Sequence, residues 1–426
     1  MKLVKLSLVA ALAAGAFSAA NAVSLEEAIK DVDVSGMMRY RFQSDRLDAG
    51  ANPYSEFKKP DIQEKGYNSS KNNEHKFKAQ LNFKAALDDN FKAFVQFQYS
   101  TTEYGYGRTG SEQDNNLKKS GTDTHSTFAV QQAYLEYTNE AYATNVIFGK
   151  MEVGSIWTDD AVGTGAKVLN NSIEGLTFAG YWFDSFNDED DGDFGPTKLN
   201  KSSLYGAAVL GDFDPFAFQL WAAYSANNAF LYAVDASYKF AFNDMNFKVQ
   251  AQYLGNSLDS DFENYYKNNM NLLNGEVDNG NFYAGKFSAD LYNFDFQAGV
   301  VGYGEKDKNT VVTLEDTGRV IAPGQQIFYS TGSKLTGDKG ENFFYFAGLG
   351  YTFAETLRVG FDYIGGKTKY TNVDTDKYEM VGSVSYAYSP KLTFSGFYSY
   401  LSEDFNTDGK DNANDQFIRL EALYKF

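Results

Sequence analysis

Along most of the chain, apolar and polar side chains occupy alternate positions. Within 76–87, Phe77, Ala79, Leu81, Phe83, Ala85 and Leu87 would share one face, and Lys76, Lys78, Gln80, Asn82 and Lys84 the other. After a turn at 88–90, Phe91, Ala93, Val95, Phe97 and Tyr99 repeat the pattern. Successive side chains of a strand point to opposite faces, so a strict period of two predicts strands with one apolar face. Segments 34–43, 216–225, 230–242, 246–254, 343–353, 357–365, 377–388 and 391–401 carry the same signal.

The connections sort by length. Short turns at 88–90, 139–143, 211–215, 242–244, 354–356 and 389–391 alternate with long polar stretches at 45–74, 103–126, 185–201, 256–280, 305–341, 367–376 and 402–413. The stretch 227–229 is a short exception on the long-loop side. Short turns at one rim and long loops at the other are the pattern of an outer-membrane β-barrel, and a soluble sandwich has no reason to sort its connections this way. A first count yields 17 strands, whereas single-chain bacterial barrels have even numbers. Parity is restored if 161–170 is a strand, 171–175 a turn and 151–160 a loop between two barrel strands. The expected fold is all-β: a transmembrane antiparallel barrel of about 18 strands with an inward-folded constriction loop. The last strand then ends on Phe426, with Ile418, Leu420, Ala422 and Tyr424 on the same face. Such an aromatic end resembles the signal read by the barrel assembly machinery.

The N-terminus fixes the compartment. Lys2 and Lys5 precede a short apolar run and an Ala-x-Ala site at Ala20–Ala22, so 1–22 is expected to be a cleaved signal peptide, leaving 23–426 as the barrel. No later stretch approaches the roughly 20 apolar residues of a spanning helix. No plug domain precedes the first strand near Val34, which speaks against an active transporter. The chain has no cysteine and a net charge of −18, a balance that excludes nucleic acid as a partner and favours attraction of cations. With 31 Tyr and 37 Phe at a mean hydropathy of −0.44, it has many aromatics in a polar chain. Barrels whose aromatic girdles sit at both membrane interfaces have that composition.

A barrel of this size encloses water, so a loop must narrow it if it is to sieve solutes. Glu152, Asp159 and Asp160 of the 151–160 loop are expected in the narrowest zone. The inward alternation places Arg39, Arg41, Lys78, Lys84, Lys167 and Arg358 on the wall across from them. Opposed acidic and basic rims order water across a pore and select by charge. The run 187–195 concentrates Asp188, Asp190, Asp191 and Asp193 around a glycine. Hard cations such as calcium want several oxygens, but the run lacks an EF-hand's spacing and distal Glu, and an exposed acidic loop accounts for it. Only two histidines are present. Asp123 and His125 form an Asp-x-His pair like that of the outer-membrane aspartyl proteases, but those barrels are much smaller. No enzymatic activity is expected.

Several stretches resemble the major outer-membrane porins of Campylobacter and related epsilonproteobacteria. They are LEEAIKDVDVSG at 25–36, NFKAFVQF at 90–97, VGTGAKVLNNSIEGLTFA at 162–179, YAVDASY at 232–238, YLGNSLDS at 253–260, YSPKLTFSGFYSY at 388–400 and the terminal LYKF. The resemblance spans the chain and breaks mainly at the long loops. It implies a homotrimeric porin, seated among outer-membrane lipid and lipopolysaccharide, that passes small hydrophilic solutes and prefers cations. It also implies surface loops that contact host ligands, which keeps a surface adhesin in view as the alternative. A calcium ion near the constriction is implied too, held by acids of the constriction loop, of the 187–195 run and of a later pair matching Glu315 and Asp316. The constriction loop here is several residues shorter than the family's pattern and lacks its later aspartate.

Overall fold

The computed structural model describes residues 32–48, 69–104, 128–187, 201–269, 277–329, 333–370, 374–404, 406 and 412–426. The strands, in chain order, begin with β1 (Asp33–Asp48), β2 (Ser69–Ala86), β3 (Phe91–Tyr104), β4 (Ala129–Asn139), β5 (Thr144–Glu152) and β6 (Val162–Asn170). They continue with β7 (Leu176–Phe186), β8 (Leu204–Phe213), β9 (Phe216–Ser225), β10 (Ala229–Phe242), β11 (Met245–Leu258), β12 (Asn281–Leu291) and β13 (Phe294–Tyr303). After the small pair β14 (Asn309–Thr310) and β15 (Asp338–Lys339) come β16 (Glu341–Phe353), β17 (Leu357–Lys369), β18 (Asp374–Ser389), β19 (Leu392–Asp404) and β20 (Ala413–Lys425). Eighteen of these form one antiparallel sheet, and β1 pairs with β20 to close it. Closure satisfies every strand edge internally, which a lipid environment demands. The expected barrel and its strand number are both present.

Eight connections at one rim span two to five residues. At the β10–β11 turn, Asn243 and Asp244 both have positive φ, 47° and 61°. That is the twist-matched two-residue hairpin turn that Asn and Asp tolerate. The chain ends meet at this rim, where Gly36 and Phe426 exchange backbone hydrogen bonds of 3.0 and 3.1 Å. A Cβ at Gly36 would press on the Gln80 carbonyl oxygen and stand 2.9 Å from the Phe426 ring. Replacing Gly36 by Val should therefore overpack the closing seam, at a cost of about 1–3 kcal/mol. A wild-type urea midpoint for the refolded Gly36→Val barrel would contradict this seam geometry.

Outside, the period of two holds. On β10, Phe230, Tyr232, Val234 and Tyr238 are exposed, while Ala229, Leu231, Ala233, Asp235 and Ser237 are buried inside. The interior departs from a plain water-filled tube. The 153–161 connection, a helix at Ser260–Asn269 and the 304–340 connection fold into the barrel and pack on its β7–β17 side. Trp157, Phe262, Ile327 and Leu335 from these segments are fully buried with Phe183, Phe282, Phe344 and Ile364 of the wall.

The 305–341 stretch, which its length and polarity place among the outer loops, instead turns inward. Its apolar residues Val311, Val312, Leu314, Ile321, Ile327 and Phe328 are buried in the lumen. Wall side chains bind its backbone: Asn256 donates to the Val311 carbonyl at 2.6 Å, and Gln252 accepts from Ile321 N–H at 2.5 Å. A backbone taken out of water must find partners, and here the barrel wall supplies them.

Candidate functional site

The connection between β5 and β6 runs over 153–161, two residues shorter at its start than the sequence pattern suggested, because Met151 and Glu152 still pair with Gly163 and Val162. Its closing bond is Val153 N–H to the Ala161 carbonyl, 2.8 Å. Trp157 anchors it by packing edge-on against Trp221 at 6.3 Å and losing all contact with solvent. Asp159 and Asp160 follow that anchor and are exposed to the lumen.

The 304–340 segment holds this loop. Leu314 N–H bonds to the Trp157 carbonyl and Arg319 N–H to the Ile156 carbonyl, both at 2.9 Å. One carboxylate oxygen of Glu315 accepts from the N–H of both Asp159 and Ala161 at 2.9 Å. Arg319 bridges the Glu152 carboxylate at 2.5 Å and the Asp159 carbonyl at 3.2 Å. Burial, aided by the nearby Asp160 charge, pushes the Glu315 carboxyl up to about 8 against the pull of its two amide bonds. Burial and the adjacent Asp160 also raise Asp159, while Arg319 works the other way.

A cavity of about 450 Å³ opens between these loops and the β1–β20 wall. Asp159, Asp160, Asp316, Gln325, Gln326 and Tyr329 line one side, and Arg39, Arg41, Arg419, Asp45, Asp415 and Phe417 the other. Lys78 reaches across, its Nζ 3.9 Å from the Asp160 carboxylate. Five carboxylates face three guanidiniums and the Lys78 ammonium, and Arg41 is in addition paired to Glu421 at 2.8 Å. The gap is negative overall and polarised across its width.

Of the residues singled out in the sequence, Asp159, Asp160, Arg39, Arg41 and Lys78 are brought together here. Glu152 borders the gap but is tied to Arg319. The other three basic residues stand on the lumen wall without facing the acids. Lys84 pairs with Glu136 at 3.2 Å, and Arg358 makes two bonds to Asp295 at 2.5 and 2.8 Å. Lys167 is spent on the Glu152 and Val153 carbonyls at 2.5 and 3.2 Å, so it anchors the loop's first residues instead of opposing its charge. Neighbouring strands offer Lys84 and Arg358 a carboxylate of their own. Arg419, Arg319 and Tyr329 were not legible as site residues. Arg419 alternates inward with Glu421 like any lumen residue, and nothing local marks the other two.

Asp188, Asp190, Asp191 and Asp193 lie outside the described residues. Among the described residues, no three acidic or histidine side chains gather as metal ligands. Glu315 spends one oxygen on backbone amides, and Arg319 occupies the Glu152 carboxylate. The described acids of the implied calcium set are thus partly engaged by the chain itself.

An 18-strand closed barrel, narrowed from within by its own connections to a charged gap, defines an outer-membrane porin: a channel and not an enzyme. The chain belongs to the Campylobacter major outer membrane protein family, which matches residues 1–426. Among solved structures it is similar to Pseudomonas aeruginosa OccK9 (OpdG), with a TM-score of 0.66, 14% identity, and 92% of this chain and 99% of that one covered. Acinetobacter baumannii OccAB3 gives a TM-score of 0.66 at 13% identity, covering 92% of this chain and all 100% of that one. A BenF-like porin from Pseudomonas fluorescens Pf-5 gives 0.65 at 15% identity, covering 93% and 99%. These likenesses carry the fold. A comparison with curated protein sequences gives no match.

Proposed function

We propose that this porin passes ions and small hydrophilic solutes by passive diffusion and prefers cations. The observation that supports the preference is the surplus of carboxylates at the gap, five against three guanidiniums and the Lys78 ammonium. The chain's overall charge of −18 acts in the same sense at longer range. The leader at 1–22, the closing strand ending on Phe426 and the outward apolar belt are suited to export, insertion by the assembly machinery and residence as a homotrimer among lipid and lipopolysaccharide. The alternative, a surface adhesin, would use the long stretches 45–74 and 305–341, and the second of these is stitched to the lumen wall.

Reversal potentials of the purified protein in a planar bilayer under a tenfold KCl gradient test this reading. Potassium should permeate several-fold better than chloride at about 0.1 M salt, and less selectively at 1 M, because the Debye length shrinks from about 10 to 3 Å. A chloride preference, or no salt dependence, would overturn it.

A further inference from the structure

Resting on the channel reading, we propose that the constriction selects small zwitterions, α-amino acids foremost. The carboxylate docks on Arg419, and the ammonium faces Asp159 and Asp160.

Arg419 differs from three other arginines of the lumen. Arg41, Arg319 and Arg358 are each paired with a carboxylate at 2.8, 2.5 and 2.5 Å. Among the described residues Arg419 forms no ion pair, and its Nε has no hydrogen-bond partner. Its guanidinium instead lies over the rings of Phe397 and Phe417, at 5.2 and 5.3 Å. Stacking uses the faces of a guanidinium and leaves its donor edge for a planar, two-oxygen anion. The two rings also fix the side chain, so little rotamer entropy is lost when it binds.

Across the gap, Asp159 is held through its backbone alone: its N–H bonds to Glu315 and its carbonyl accepts from Arg319. Its carboxylate is left exposed beside that of Asp160. A pre-set carboxylate receptor therefore faces a pre-set ammonium receptor across one cavity of about 450 Å³, roomy enough for an amino acid and its water. An anion meets Arg419 but is repelled by the surplus acids. A simple cation meets the acids but is repelled by the arginines. A dipolar solute turned across the pore gains from both walls, and an uncharged one of equal size gains from neither.

Alanine and its uncharged isomer lactamide separate these cases. The porin is reconstituted into liposomes, swelling rates are measured with each solute, and KCl conductance is recorded on the same preparation. Alanine should enter several-fold faster than lactamide in the natural protein. Arg419→Gln and, from the opposite wall, Asp159→Asn should each bring the ratio close to one. Equal rates for the two isomers in a preparation that conducts KCl would overturn this inference and leave the channel standing. A preparation that conducts nothing would overturn the channel reading with it. A ratio that survives both substitutions would place the selectivity elsewhere and refute the assignment.

Discussion

Replacing Glu379 by Ala should release the tip of the inward-folded 304–340 segment and make the channel noisy. Glu379 lies on β18, fully buried, and its carboxylate accepts from three consecutive backbone amides, Gln325 at 2.7 Å and Gln326 and Ile327 at 3.0 Å. Ser399 adds a fourth bond at 2.6 Å. Gly324 makes this nest possible: its φ is +90°, and a Cβ there would collide with the Glu379 carboxylate. Each amide left buried without an acceptor costs about 1–3 kcal/mol, so the tip would leave the wall to find water. Gln325, Gln326 and Tyr329 line the gap directly, and their departure widens it. Single-channel records of Glu379→Ala should show frequent sublevels and a larger mean current. Glu379→Gln keeps one acceptor oxygen and should fall between the two. Quiet, wild-type records from the alanine variant would show that the tip is held by other means.

Replacing Asp159 and Asp160 together by Asn should abolish the cation preference. Two unit charges 4 Å apart interact by about 1 kcal/mol in bulk water and about 4 kcal/mol at an effective dielectric near 20. Because 1.4 kcal/mol is a factor of ten, loss of two carboxylates from so narrow a gap outweighs the surplus of one. The reversal potential should move to zero or beyond it, since Arg39, Arg41 and Arg419 stay in place. The backbone bonds from Asp159 and Ala161 to Glu315 do not depend on the substituted carboxylates, so the loop keeps its position. An unchanged reversal potential would assign selectivity to other charges.

The barrel was legible in the sequence because its exterior is. Lipid demands an apolar side chain at every second position, and residues such as Phe230, Tyr232 and Val234 obey that period. The parity of strands even located the inward loop, since 153–161 falls where an odd count had to be repaired. What fills the lumen was not legible. On β16 the inward positions carry Phe344 and Phe346 as well as outward Phe343 and Tyr345, and such double-sided apolarity reports that something dry lies inside. Together with the apolar runs around Val311–Val312 and Ile327–Phe328, it was the available signal that 305–341 turns inward. Its binding to the wall is decided by contacts between residues far apart in sequence, such as Glu379 with Gln325 and Glu315 with Asp159. The same reason explains why inward alternation could not tell which of the six basic residues were already paired. Lys84 and Arg358 each find a carboxylate on a neighbouring strand, and Lys167 finds carbonyls of the loop itself.

The conducting path of this reading runs through the gap between the 153–161 loop and the β1–β20 wall. The chain has no cysteine, so a thiol introduced by Asp159→Cys is its sole reactive sulfur. A positively charged methanethiosulfonate reagent added during single-channel recording should lower the current by more than half, and a reducing agent should restore it. Current that is untouched after complete modification would place the path elsewhere in the barrel.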